Sequence, residues 1–315
     1  MSVVIFAAAA VLLLMLVSGG YVFVVACVRR KEFPWLIKEE IKKTPYGKYY
    51  DMILASDRWL KAHDAQDVYV TSHDGLRLHG LWVPAKDPVG TIILVHGYRS
   101  TMLVDFGVAL EYYHNKGLNL LLPEQRSHGK SQGRYITFGV KESQDMLRWL
   151  SYHNERFGPA PVIFSGLSMG ASTVMYLADE ELPENVKGLI VDCGFTSPKE
   201  ILASVFRRVT HLPPCLSLWA TDLFARLFAG FHLSQKDSRK TLAKNRLPIL
   251  MVHGAEDGFV PCEMTEEGYA VCTGTKQLLL VEGADHGVSF LVDRQRYTEL
   301  LENFLKEHIL DTEKG

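Results

Sequence analysis

The stretch PVIFSGLSMGAS, Pro161–Ser172, sets an apolar run directly against a serine held between two glycines. The run is short enough for a buried strand, and the residues after Ser168 suit a helix. A strand that turns straight into a helix brings two backbones close together, and Gly166 and Gly170 avoid the clash. Such a turn holds its central serine in a strained, exposed position, and the helix start adds partial positive charge beside it. Ser168 is therefore either a nucleophile or a small residue filling a tight bend. The choice depends on what stands at the ends of the neighbouring strands.

Outward from this turn, apolar runs alternate with helical spacing. TIILVHG (91–97), LNLLLPE (118–124), KGLIVDCG (187–194), LPILMVHG (247–254) and KQLLLVEG (276–283) read as buried strands. Helical stretches are expected near 102–116, 141–157, 169–180, 262–271 and 288–308. Continuous apolar strands separated by helices imply an α/β fold, a mostly parallel central sheet flanked by helices on both faces. Ahead of it, VYVTSHDGLRLHGLWVPA alternates about Asp74-Gly75 and predicts an antiparallel hairpin. Residues 196–246 contain no buried-strand run; their apolar and aromatic spacing predicts a helical cap.

Open parallel sheets bind ligands beyond the carboxyl ends of their strands. A serine hydroxyl also needs a base, and His286 in VEGADHGVS follows the last strand. His63, His73 and His79 precede the main strands. His114, His153 and His308 are expected on solvent-facing helical positions, and His211 and His232 fall in the cap. His96 and His253 end strands and are expected to bond loop backbone. Asp257 in VHGAEDGFVP is the expected partner of His286, with Asp192 as the rival, one strand earlier, expected to satisfy loop amides. Glu256 and Asp285 are neighbours expected to point elsewhere. Charge developing on an acyl oxygen calls for two amide donors, expected at Met169 and at Tyr98 in HGYRS.

VHGYRST, GLSMGAS, VDCGFTSP, HGAEDGFVP and GADHG together resemble the α/β-hydrolase superfamily, most nearly its serine aminopeptidase/monoglyceride lipase-like bacterial hydrolases. The resemblance spans about residues 68–305. It implies a Ser168–Asp257–His286 triad, a cap after the sixth strand, no cofactor, and hydrolysis of acyl esters, less often of amides or thioesters. The chain departs from the family at EQRSHGKSQG (124–133), where Glu124 and Ser127 replace the usual Asp and Gly. That loop reads as scaffold, so the departure bears on pocket shape. A serine peptidase or amidase is the alternative within the enzyme class. An inactive membrane-tethered binding protein is the alternative outside it, although such proteins usually lack a triad residue and none is missing here.

Val3 to Val28 carries no charged side chain and is long enough to cross a bilayer. A cleaved signal peptide would need a basic start and a small-residue cleavage site, so a retained single span is expected. Arg29, Arg30 and Lys31 follow it, which places the catalytic part on the cytoplasmic side by the positive-inside rule. The expected organisation is an anchor with basic flank (1–31), a juxtamembrane helical segment (32–66) and a hydrolase domain (67–310) containing the cap. Among 315 residues, 47% are apolar and the net charge is −2, which supplies a large core and gives no basic surface for nucleic acid. The expected partners are a small acyl substrate, with a lipid-like one among the candidates, and the membrane. Five cysteines without CxxC spacing argue against a zinc site and read as buried free thiols. The cap aromatics Trp219, Phe224, Phe228 and Phe231, together with the anchor, hint at a lipid-like or aromatic ester.

Overall fold

The computed structural model describes residues 2–30 and 41–310. An apolar helix α1 (Ser2–Cys27) comes first, and after the undescribed segment a 3₁₀ turn, Pro45–Tyr49, leads into α2 (Tyr50–Ala62). The strand β1 (Gln66–Thr71) pairs with β2 (Arg77–Val83) in the hairpin expected at Asp74-Gly75. Then follow β3 (Gly90–Val95), α3 (Met102–Asn115), β4 (Leu118–Pro123), α4 (Val140–Phe157) and β5 (Val162–Leu167). The chain continues with α5 (Met169–Met175), β6 (Val186–Asp192), α6 (Pro198–Thr210), α7 (Cys215–Phe224), a π-helical turn Ala225–Ala229 and α8 (Ser238–Leu242). It closes with β7 (Ile249–Gly254), α9 (Glu263–Val271), β8 (Lys276–Val281), α10 (Ser289–Val292) and α11 (Arg294–Leu305).

The eight strands form one sheet in the order β1-β2-β4-β3-β5-β6-β7-β8. β3 to β8 are parallel, and β2 runs antiparallel to both β1 and β4. Every residue of β3, β4, β5 and β7 is buried, because helices cover both faces. Phe106 and Leu110 of α3 and Phe304 of α11 pack one face; Trp149 of α4 and Val174 of α5 pack the other. A third apolar cluster joins Phe23 and Cys27 at the end of α1 to Leu218 and Phe231 of the cap.

Several local expectations change in the structure. The last helix is not continuous over 288–308, since Asp293 ends α10 and its carboxylate caps Arg296 N–H to restart the chain as α11. The helix after Ser168 stops at Met175 and gives way to turns. His153 does not face solvent: it is fully buried and bonds Thr91 Oγ1 at 2.9 Å. His114 is half-buried against Trp59, and His308 packs on Phe304. All five cysteines are free, but Cys215 is exposed and Cys262 only partly buried. Residue 31 of the basic flank and residues 32–40 of the juxtamembrane segment lie outside the described residues. Residues 50–62 form an amphipathic helix whose Ile53 and Leu60 pack on the domain.

The 124–133 loop has its own polar core. The Arg126 guanidinium donates to Asp145 at 2.6 and 2.7 Å and to Asp74 at 2.9 and 3.1 Å. Glu124 Oε2 accepts from the Lys130 amide at 2.6 Å and bonds His79 at 2.7 Å. The longer carboxyl at 124 therefore reaches across to β2. Asp145 is wholly buried, so deleting its partner strands a charge. Arg126→Met is expected to lower stability by about 3–5 kcal/mol at neutral pH, measured by chemical unfolding.

Candidate active site

The Ser168 backbone has φ +56° and ψ −118°, a conformation that non-glycine residues adopt at a cost of roughly 1–3 kcal/mol. Its amide donates to the Asp192 carbonyl at 2.8 Å, which ties the bend to the end of β6. A Cβ on Gly170 would overlap the Val95 carbonyl, and one on Gly166 would overlap the Gly170 carbonyl. The glycines thus permit the crossing of β3, β5 and α5 that holds Ser168 in its bend.

The His286 side chain meets Ser168 there. His286 Nε2 lies 2.9 Å from Ser168 Oγ, and His286 Nδ1 lies 2.7 Å from Asp257 Oδ2. A carboxylate only accepts, so Nδ1 carries the proton and Nε2 is free to accept from the serine hydroxyl. Asp257 is fixed on all sides: Oδ1 accepts from the Phe259 and Val260 amides at 2.7 and 2.8 Å, and Oδ2 also bonds His253 Nε2 at 3.1 Å. Burial opposes ionisation of Asp257, yet the hydrogen bonds from His253 and His286 outweigh it and hold the carboxyl well below its usual range.

His253 does more than brace loop backbone. Its Nε2 shares one proton between Asp257 and the Val260 carbonyl, while Nδ1 accepts from Thr265 Oγ1 at 2.7 Å. The signal that could have found this contact is the spacing of four residues between His253 and Asp257 across the end of β7.

Asp192, the rival acid, stays away from the imidazole. Ser289 Oγ donates to it at 3.1 Å and the Tyr297 hydroxyl also bonds it, so hydroxyls rather than loop amides satisfy it. Asp285 Oδ1 accepts from the Gly258 amide at 2.9 Å and from the His286 amide at 2.7 Å, which orders the loop around the histidine.

The loop after β3 is held by buried polar groups. The Gly97 amide donates to Asp105 Oδ2 at 2.6 Å, and the Ser100 hydroxyl donates to Oδ1 at 2.6 Å. His128 Nε2 accepts from the Arg99 amide at 3.0 Å, and burial lowers the pKa of this imidazole to about 3, which keeps it neutral and able to accept. Among the described residues, neither the Tyr98 nor the Met169 amide has a hydrogen-bond acceptor. The Tyr98 side chain points to the end of α1, where its hydroxyl donates to the Ala26 carbonyl at 2.8 Å.

A cavity of about 700 Å³ opens onto Ser168 and His286. Its apolar wall includes Phe138, Phe195, Ile201 and Leu202, together with Val25 and Ala26 from the last turn of α1. The cap aromatics do not line it. Trp219 and Phe228 are exposed, Phe224 packs on Phe23, and Phe231 is buried in the cap. Those four residues therefore lend no apolar wall to the cavity, because α6 and not α7 faces it.

A family model described as the alpha/beta hydrolase fold matches residues 90–214. The chain has the α/β-hydrolase fold. It is similar to the Bacillus subtilis protein YqkD, 28% identical over 240 residues covering 75% of this chain and 77% of that one. It is also similar to the protein bem46 of Schizosaccharomyces pombe, 24% identical over 224 residues covering 70% and 69% of the two chains. Among solved structures, the Pyrococcus furiosus esterase Pf2001 aligns with a TM-score of 0.65 at 23% identity, over 79% of this chain and 92% of its own. Est1E of Butyrivibrio proteoclasticus, solved with ferulic acid bound, aligns with a TM-score of 0.58 at 20% identity, over 76% and 98%. In this chain the serine bend follows β5, Asp257 follows β7 and His286 follows β8.

The two acids also differ in how they respond to pH. Burial raises the Asp192 carboxyl from 3.8 to about 6. The folded state then holds this proton more tightly than the unfolded chain does. Stability from the group is greatest below about pH 4, falls as pH rises to about 6, and stays at its lower level above that, a span on the order of 3 kcal/mol. Asp192→Asn removes this loss. The stability of the variant relative to wild type is expected to improve by about 2–3 kcal/mol between pH 4 and pH 7.5 in paired unfolding titrations.

Proposed function

We propose that the protein is a serine hydrolase that cleaves carboxylic esters through an acyl-enzyme. The observation that carries this reading is the unbroken chain of hydrogen bonds from Ser168 Oγ to His286 to Asp257, opening on an apolar cavity. In the proposed reaction Ser168 Oγ attacks the acyl carbon while its proton passes to His286 Nε2. Asp257, ionised and buried, stabilises the imidazolium through Nδ1. The Tyr98 and Met169 amides donate to the oxyanion, the strongest single source of rate in such sites. His286 returns the proton to the departing alkoxide. Water then attacks the acyl-enzyme with His286 again as base, which releases the acid and restores Ser168.

The peptidase alternative calls for an acid to hold a substrate amine, and the cap acids are engaged elsewhere. Asp222 accepts from the Leu233 amide and pairs with Arg226, whereas Asp237 caps α8 and pairs with Arg239. Neither lines the cavity. The inactive-scaffold alternative is disfavoured by a complete serine, histidine and acid set in hydrogen-bonding register.

The membrane anchor belongs to the same proposal. Val4–Cys27 forms a helix long and apolar enough to cross a bilayer by length and composition, and most of its surface is free of protein contact. Arg29 and Arg30 at its end favour a catalytic part on the cytoplasmic side.

Ser168→Ala is expected to abolish labelling by a fluorophosphonate and to lower kcat/KM on a short-chain ester by a factor on the order of 10⁴ or more. Asp257→Asn is expected to cost about 10⁴ in kcat with KM little changed. Unchanged turnover in Ser168→Ala would remove the proposal. In a separate experiment, a reporter fused to the C-terminus is expected to read out as cytoplasmic; an external readout would reverse the orientation.

A further inference from the structure

The cap helix α7 lies alongside α1 in close contact. Gly19 meets the Ser217 carbonyl, Ala220 and Thr221, so close that no side chain could stand at position 19. Thr221 Oγ1 lies 3.1 Å from the Gly19 carbonyl and 3.0 Å from the Ser217 carbonyl, and the Ser18 and Ser217 hydroxyls bond each other. Further along, Phe23 packs against Phe224 and Phe228 at ring distances of 6.3 and 6.0 Å. Small residues at the contact and paired hydroxyls across it are what packing between helices in hydrocarbon requires.

The same geometry sets the depth of α7. Gly19 stands eight residues before Cys27, or about 12 Å along the helix. If α1 crosses a bilayer whose hydrocarbon core is about 30 Å thick, Gly19 lies well inside it, and α7 lies at the same level. The outward face of the cap fits that medium: Trp219, Leu223, Leu227 and Phe228 are all exposed, at 53%, 36%, 67% and 57%. They extend the exposed apolar surface of α1, which includes Leu14, Val17, Tyr21 and Val24. An apolar face of this kind, continuous with a spanning helix, has one fitting occupant, the acyl chains of the leaflet.

The cavity adjoins this face. Val25 and Ala26 of α1 form its wall together with Ile201, Leu202 and Val205 of α6, and the exposed Arg30 and Arg208 stand at its polar edge. We infer that α7 and the turn after it sit in the leaflet beside the span. We further infer that the cavity takes a long-chain acyl ester from that leaflet, its chain against Val25 and Ala26 and its polar end beside the two arginines. This inference rests on the hydrolase and anchor readings above and names their substrate class and its route.

The test uses the full chain in phosphatidylcholine vesicles and has two independent readouts. The first is tryptophan fluorescence with lipids brominated in the acyl chains. The emission lost between wild type and Trp219→Phe is expected to be quenched by these lipids, and an unquenched Trp219 overturns the placement of α7. The second is turnover by a Leu227→Asn, Phe228→Asn double variant. Hydrolysis of a long-chain monoacylglycerol held in the vesicles is expected to fall about tenfold, from the lost apolar contact, while that of water-soluble p-nitrophenyl butyrate stays unchanged. Equal effects on both esters, or none on either, overturn access from the leaflet. If wild type cleaves neither ester, the hydrolase reading and the substrate class fall together, while the quenching still decides where α7 lies.

Discussion

The strained backbone at Ser168 is the constraint on which the rest of the site depends. A positive φ at a non-glycine residue is held only where the surroundings over-determine it. Here the Asp192 carbonyl holds the amide, while Gly166 and Gly170 let α5 cross β3 and β5 at backbone contact distance. The bend fixes the direction of the hydroxyl, and that direction decides which histidine can reach it. The strain is local, and the buried parallel strands on either side supply the packing that offsets it.

Around that bend, two buried acids have opposite electrostatics. Asp257 receives four hydrogen bonds and stays ionised, which suits an acid that must steady an imidazolium. Asp192 receives hydroxyls only, and burial pushes its carboxyl up. The loop carrying Tyr98 shows similar economy, because Asp105, His96 and His128 hold the backbone on either side of it.

The end of α1 is part of this assembly. A helix ends with carbonyls that need partners, and here the hydrolase domain supplies them. Arg99 donates to the Val25 and Val28 carbonyls at 2.6 and 3.0 Å, Tyr98 to Ala26, and the Ile136 amide to Cys27 at 2.7 Å. Two neighbouring residues of one loop thus present their side chains to the end of the apolar helix. The cap closes the same contact from the other side through α7, so helix, cap and cavity wall form one apolar cluster.

Much of the fold was legible because strand burial and turn chemistry leave local marks. Continuous apolar runs marked the parallel strands, Asp74-Gly75 marked the hairpin, and the glycines around Ser168 marked the bend. Ser168, Asp257 and His286 could be chosen from position along the chain, since the parallel topology puts the carboxyl ends of β5, β7 and β8 on one edge of the sheet, with β6 between β5 and β7. The second contact of His253 left only one mark in the sequence, its spacing of four residues from Asp257, because two residues four apart can face each other or diverge depending on how the loop closes. Nor was the orientation of the cap: the spacing of Trp219, Phe224 and Phe228 marks a helix with an apolar face, but not what that face meets. Pattern along a chain records which residues avoid water. Only the packing of α1 against α7, many residues apart, determined that α6 lines the cavity while the aromatics of α7 turn outward beside the apolar helix.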